Sequence, residues 1–174
     1  MSADLAPAPV GSSLLPAGGR DLDRERARLL ASVLAPGATS GKLIWWLGEP
    51  STKARPRFGA GGKTYKTDED TAAELATGWQ LRRAFPEPWT GNVALGAVFF
   101  RSDRRRVDVD NMLKHICDAG NGIAWVDDAQ ITALLGFAEL DPVHPRTVLV
   151  VCRHSSSLDR SPRAIAAPRQ AVRR

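Results

Sequence analysis

The residues able to do chemistry crowd into one stretch, RRRVDVDNMLKHICDAGNGIAWVDDAQI, residues 104–131. It holds carboxylates at Asp108, Asp110 and Asp118, an ammonium at Lys114, and adjacent carboxylates at Asp127 and Asp128, directly behind Arg104, Arg105 and Arg106. The chain as a whole carries a net charge of +5. Acids gathered in a basic protein repel one another, and the cost falls only when a cation sits among them. An all-oxygen donor set suits Mg²⁺, with Mn²⁺ as a substitute. Zinc is disfavoured: His115, His144 and His154 lack a zinc spacing, and Cys117 and Cys152 lie far apart. A carboxylate-held divalent ion polarises water and binds a phosphate oxygen, which is the chemistry of phosphodiester hydrolysis. The bland alternative is a helix cap with solvated surface acids. Asp108, Asp110, Lys114, Asp127 and Asp128 within one short span weigh against it.

The elements around these residues must position them. VDVD reads as the end of a strand segment, where alternate side chains share a face, so Asp108 and Asp110 are expected to converge. Asp110 also stands where the helix DNMLKHICDAG should begin, and its side chain is placed to cap it. Lys114 follows one turn later on the same face, and Asp118 a turn beyond. Gly120 and Gly122 end the helix, and a short return through Ile123–Val126 brings Asp127 and Asp128 back beside the first pair. Adjacent strand residues face opposite ways, so only one of Asp127 and Asp128 should reach an ion directly.

Upstream, GKLIWWLGEP reads as a strand ending at Pro50, and STKARPRFGAGGKTY as a basic loop. TDEDTAAELATGWQLRRAF reads as a helix, with Thr67 at its N-cap, acids in its first turn and Arg82 and Arg83 near its end. GNVALGAVFFRS is a buried strand. DDAQITALLGFAEL and RTVLVVCRH are strands either side of a turn at Asp141–Pro142. The order β, loop, α, β, α, β, β predicts an α+β (mixed α/β) domain, a small sheet of about four strands with two packed helices.

A pI near 9.8 points toward a polyanionic partner, nucleic acid before membrane. Lys53, Arg55, Arg57 and Lys63 share the loop with Gly59, Gly61 and Gly62, which suits phosphate contact. Arg104, Arg105 and Arg106 are placed to grip a strand beside the acids. Trp45 and Trp46 read as one core ring and one partner-facing ring, and Trp125 as packing beneath the site. With 43% hydrophobic residues in 174, one domain with a real core is expected at about 41–153. Residues 1–40 read as an extension without fixed structure, apart from a short helix at about 20–34 that could dock on the core, join a dimer contact or stay loose. Residues 154–174 read as a disordered basic tail. Two cysteines, no apolar run of about 18 residues and no secretory signal point to a reduced, cytoplasmic setting.

The stretch DVDNMLKHICDAGNGIAWVDDAQI resembles the RusA-type Holliday-junction resolvases, endonucleases often found in phages and prophages. It carries Asp-x-Asp-Asn, a Lys four after the second Asp, an Asp one turn later, an Asn-Gly turn and Asp-Asp-x-Gln. TKARPRFGAGGKTY resembles the same family's basic segment, so the likeness spans roughly residues 43–153. It implies metal-binding carboxylates at Asp108, Asp110 and Asp128, with Asp127 as a companion acid and Lys114 as the site lysine. It also implies a RusA-like fold and a homodimer that cuts four-way DNA junctions by paired nicks with Mg²⁺, in recombination and repair in a bacterial or phage-infected cell. Gly120 departs from the pattern, since a larger apolar residue is usual there, and a looser helix end is expected. The alternatives are a non-catalytic DNA-binding module, for which the carboxylate set has no use, and a nuclease for other branched DNA.

Overall fold

A computed structural model of the chain describes residues 17–38, 40–53, 57–58 and 64–158. The unstructured N-terminal segment and most of the basic tail expected from composition lie outside that range. The elements run α1 (Ala17–Leu34), β1 (Gly41–Leu47), β2 (Arg57–Phe58), β3 (Thr64–Tyr65), α2 (Asp68–Arg82), β4 (Val93–Arg101), α3 (Val109–Ala119), a 3₁₀ turn (Asp128–Gln130), β5 (Ile131–Leu140) and β6 (Arg146–Arg153). The main sheet has the order β1-β6-β4-β5, with β4 and β5 parallel and the other neighbours antiparallel. A parallel pair needs a crossover, and α3 supplies it. The mixed α+β architecture expected from the sequence is the one observed, a four-stranded sheet with packed helices.

Sequence explains the layers. β4, VALGAVFFR, is buried at every position but the last because it is an inner strand covered on both faces. On one face, Ala27, Leu30 and Leu34 of α1 pack on Leu43, Val98, Val148 and Val150. On the other, Leu81 of α2 and Met112 and Ile116 of α3 pack on Leu95, Phe99, Leu149 and Val151. Two glycines set the helix heights. A Cβ at Gly96 would lie 2.6 Å from Leu34, and one at Gly136 2.7 Å from Leu113, so each absent side chain lets a helix sit down on the sheet.

Of the three fates open to the first helix, the structure shows docking. Asp23 is 2% exposed and accepts from Arg146 Nε at 2.7 Å and Nη2 at 3.0 Å, tying α1 to β6. Trp45 Nε1 donates to the same carboxylate at 3.2 Å, and the Arg146 guanidinium lies 3.5 Å from the Phe100 ring centroid. Trp45 and Trp46 therefore differ from the expected pair of one core and one partner-facing ring. Both are half-buried, one packed against each of the two core clusters. The basic loop contains a feature that its composition did not suggest: β2 and β3 pair as a short antiparallel ribbon, Arg57 opposite Tyr65 and Phe58 opposite Thr64. No described helix is long and apolar enough to cross a membrane.

Candidate active site

β4 ends at Arg101, and residues 102–107 lead to α3 without strand structure. Asp108, with φ −85° and ψ 124°, occupies the N-cap of α3, and Asp110 lies in its exposed first turn. This corrects two expectations. Asp108 and not Asp110 holds the cap position, and the two are not alternate residues of a strand, so extended geometry does not make them converge. The physical reason is the helix start itself: carboxylates are favoured beside the positive end of the helix dipole. The Asp108 side chain makes no capping bond and takes only a long 3.4 Å contact from Asn111 Nδ2.

Lys114 stands one turn beyond Asp110, about 6 Å along the axis. It is exposed and forms no ion pair with any described residue. Asp118, another turn on, forms no ion pair with Lys114. It pairs with Lys53, whose ammonium also lies 3.9 Å from Glu74. Burial first, then the charges of Asp128 and Asp118, push the Cys117 thiol up to about 12, against the opposing pull of Lys114. The charges of Lys114, Asp118 and Asp128 thus all act on one buried thiol, while Asp108 and Asp110 mark the start of the helix.

DDAQ does not run straight into the strand. Asp127 caps the 3₁₀ turn, its Oδ1 accepting from Ala129 N at 2.8 Å, and Asp128 is the first residue of that turn. The strand alternation expected for the two acids is therefore replaced by a turn in which Asp127 has a local partner. Gln130 makes the turn possible, a structural role that the Asp-Asp-x-Gln pattern alone did not assign to it. It is fully buried, its Oε1 accepts from Val126 N at 2.8 Å and Asp127 N at 3.0 Å, and its Nε2 donates to Trp89 O and Gly91 O at 2.9 and 2.7 Å. The Asp-x-x-Gln spacing of a capping box was the available signal.

Gly120 is not loose. A Cβ there would fall inside the Trp125 ring, which is fully buried and donates from Nε1 to Cys117 O at 3.1 Å. The glycine lets the ring close under the end of α3, as expected for a tryptophan beneath the site.

Among the proposed DNA contacts, Arg104, Arg105 and Arg106 are exposed, with Arg105 also 3.1 Å from Asp103. Arg101 braces this loop through Glu49, Asp103 and the Arg105 carbonyl. Lys53 is engaged in ion pairs within the protein. Arg57 lies in β2, while Arg55 and Lys63 fall outside the described residues.

The motif donors are carboxylates, which suit a hard divalent ion. Of the softer donors, His115 is buried and 2.9 Å from the Thr77 hydroxyl, His154 is half-buried with Nδ1 2.6 Å from the Thr132 hydroxyl, and both thiols are buried. Among the described residues, no three acidic, imidazole or thiol groups stand as a close ligand set.

No curated protein matches this chain. The family model described as Endodeoxyribonuclease RusA matches residues 48–151, a span that holds α3, both acid groups, the basic ribbon, β4, β5 and most of β6. With more than half of its length matched and the acid pattern intact within the match, the chain belongs to the RusA endodeoxyribonuclease family.

Proposed function

We propose that this protein is a Mg²⁺-dependent homodimer that resolves four-way DNA junctions by paired, symmetric nicks, in recombination and repair within a bacterial or phage-infected cytoplasm. One observation carries the reading. The segment matched to the endodeoxyribonuclease family retains every acid of the Asp-x-Asp-Asn and Asp-Asp-x-Gln motifs beside a lysine with no ion-pair partner among the described residues. A module that only bound DNA would gain nothing from acids facing a polyanion.

Asp108, Asp110 and Asp128 would hold the ion, with Asp127 as companion. When bound, Mg²⁺ supplies a polarised water and a Lewis acid at a phosphate oxygen. The Lys114 ammonium, one turn from Asp110, neutralises charge developing on the phosphate and can hold a proton near the leaving oxygen. Arg104, Arg105 and Arg106 grip the strand beside the cut, and the basic segment that holds Arg55, Arg57 and Lys63 adds further phosphate contacts.

One chain carries one set of the motif acids, whereas a four-way junction presents two equivalent strands. A two-fold dimer matches that symmetry. The open edge of the sheet at β5 supports it, since Leu134 and Phe137 are exposed along it and Phe137 shares a surface hollow with Leu29 and Val33 of α1.

The deciding experiment incubates the protein with synthetic four-way junction, duplex and flap DNA, with Mg²⁺ or with chelator. Paired nicks on the junction alone, abolished by chelator, are expected. Equal cutting of flaps would replace the junction assignment, and cutting in chelator would end the metal assignment. Light scattering should give about twice the 18.8 kDa chain mass.

A further inference from the structure

Glu74, on α2, is outside every motif considered above, yet one carboxylate there meets two lysines from the two ends of the basic segment. Its Oε2 lies 2.6 Å from Lys66 Nζ, and its Oε1 3.9 Å from Lys53 Nζ. Lys53 also pairs with Asp118 of α3, and its backbone N–H donates to the Asn111 carbonyl of the same helix at 3.0 Å. Lys53 and Lys66 are the residues on either side of the basic segment that contains the β2–β3 ribbon. Glu74 therefore touches both stems of that segment at once. Asp118 and the Asn111 carbonyl tie one stem to the helix that starts with Asp108 and Asp110.

The charges of this group balance: Lys53 and Lys66 against Glu74 and Asp118. Lys53, Glu74 and Asp118 are each less than a third exposed, which shields the group from the screening that weakens surface pairs. A lysine held this way offers little charge to a phosphate.

We propose that Glu74 is a positioning residue: it clasps the two stems of the basic ribbon against α2 and α3, so that the ribbon meets DNA in register with the acids. Lys53 belongs to this clasp and acts on DNA through the ribbon's placement. The second half of the proposal rests on the junction-cutting reading.

The test is Glu74→Gln in the full chain, which keeps the side-chain shape and removes the charge. Limited trypsin digestion of the protein alone, read by mass spectrometry for cuts after Arg57 and Lys63, should run on the order of tenfold faster, with an unchanged thermal midpoint. On four-way junctions, KM should rise while kcat at saturation holds, because the ribbon binds and does not react. Glu74→Asp, which keeps the charge, should recover much of both effects. An unchanged trypsin rate overturns the clasp. A faster trypsin rate with unchanged KM overturns the link to DNA. If even the unaltered protein cuts no junction, the functional reading has failed, and the trypsin comparison still decides the clasp.

Discussion

On the α1 face of the sheet, Asp23 is buried and meets Arg146 through two hydrogen bonds. Across the sheet, Asp110 and Lys114 stand exposed on α3, with no ion pair to any described residue. Both regions carry acids and bases, but burial separates their uses. A buried acid without its partner would be an uncompensated charge, so Asp23 and Arg146 hold each other and, with them, a helix to a strand. The exposed acids of α3 do nothing for packing that a neutral side chain could not do. Charge that is matched builds the fold, and charge left unmatched at a surface is available to something that arrives from outside.

Substitutions can break this contrast. The largest effect should come from Asp110→Asn: cleavage falls on the order of 10³-fold or more, while the unfolding free energy moves by less than about 0.5 kcal/mol and junction affinity is kept or tightened. Gel-based cleavage beside thermal melting checks both halves. Normal cutting would remove Asp110 from the site.

Asp23→Asn should do the reverse, costing about 3 kcal/mol of stability in denaturant melts by leaving Arg146 partly unpaired in the core. The double change Asp23→Leu with Arg146→Met should cost much less. Equal losses from the single and double variants would mean that shape, and not charge, holds α1.

Gly120→Ala should cost about 1–3 kcal/mol, because the new methyl displaces the Trp125 ring. A neutral result would show that the ring has room to shift.

The smallest effect is a graded one. Burial holds the His115 imidazole below its ordinary 6.5, opposed by the charges of Glu74 and Asp118. The folded state thus prefers the neutral ring, and the unfolded chain takes up its proton first as the pH falls. This contribution to stability is complete above about 6.5 and drains away as the pH drops toward the depressed folded value. His115→Gln should flatten melting curves taken across that window. An unaltered slope would assign the pH dependence to other groups.

Local patterns made most of the fold legible in the sequence. Thr67 with Asp70 announced α2, and a capping box is what forms there. The apolar run of β4 and the strand after Pro142 were equally plain. At the site the residue types were legible and the geometry was not. Reading VDVD as strand placed Asp108 and Asp110 on one face, but the helix takes its cap two positions earlier than Asp110, at Asp108. The turn at Asp128–Gln130 depended on Gln130 reaching back to Trp89 and Gly91, about forty positions upstream. Lys53 reads as a loop cation until Asp118, 65 residues away, is brought beside it. Periodicity cannot carry such pairings, because they exist only once the helices have packed.

The docking of α1 has a consequence for where this protein begins as a physical body. The recognisable family segment starts at residue 48, after both α1 and β1. A chain trimmed to that segment would lose the strand paired along β6 and the helix covering Leu43, Val98 and Val148, and Arg146 would keep its charge without Asp23. Ancestry and autonomy therefore have different borders here: the inherited signature is shorter than the smallest piece able to shelter its own interior.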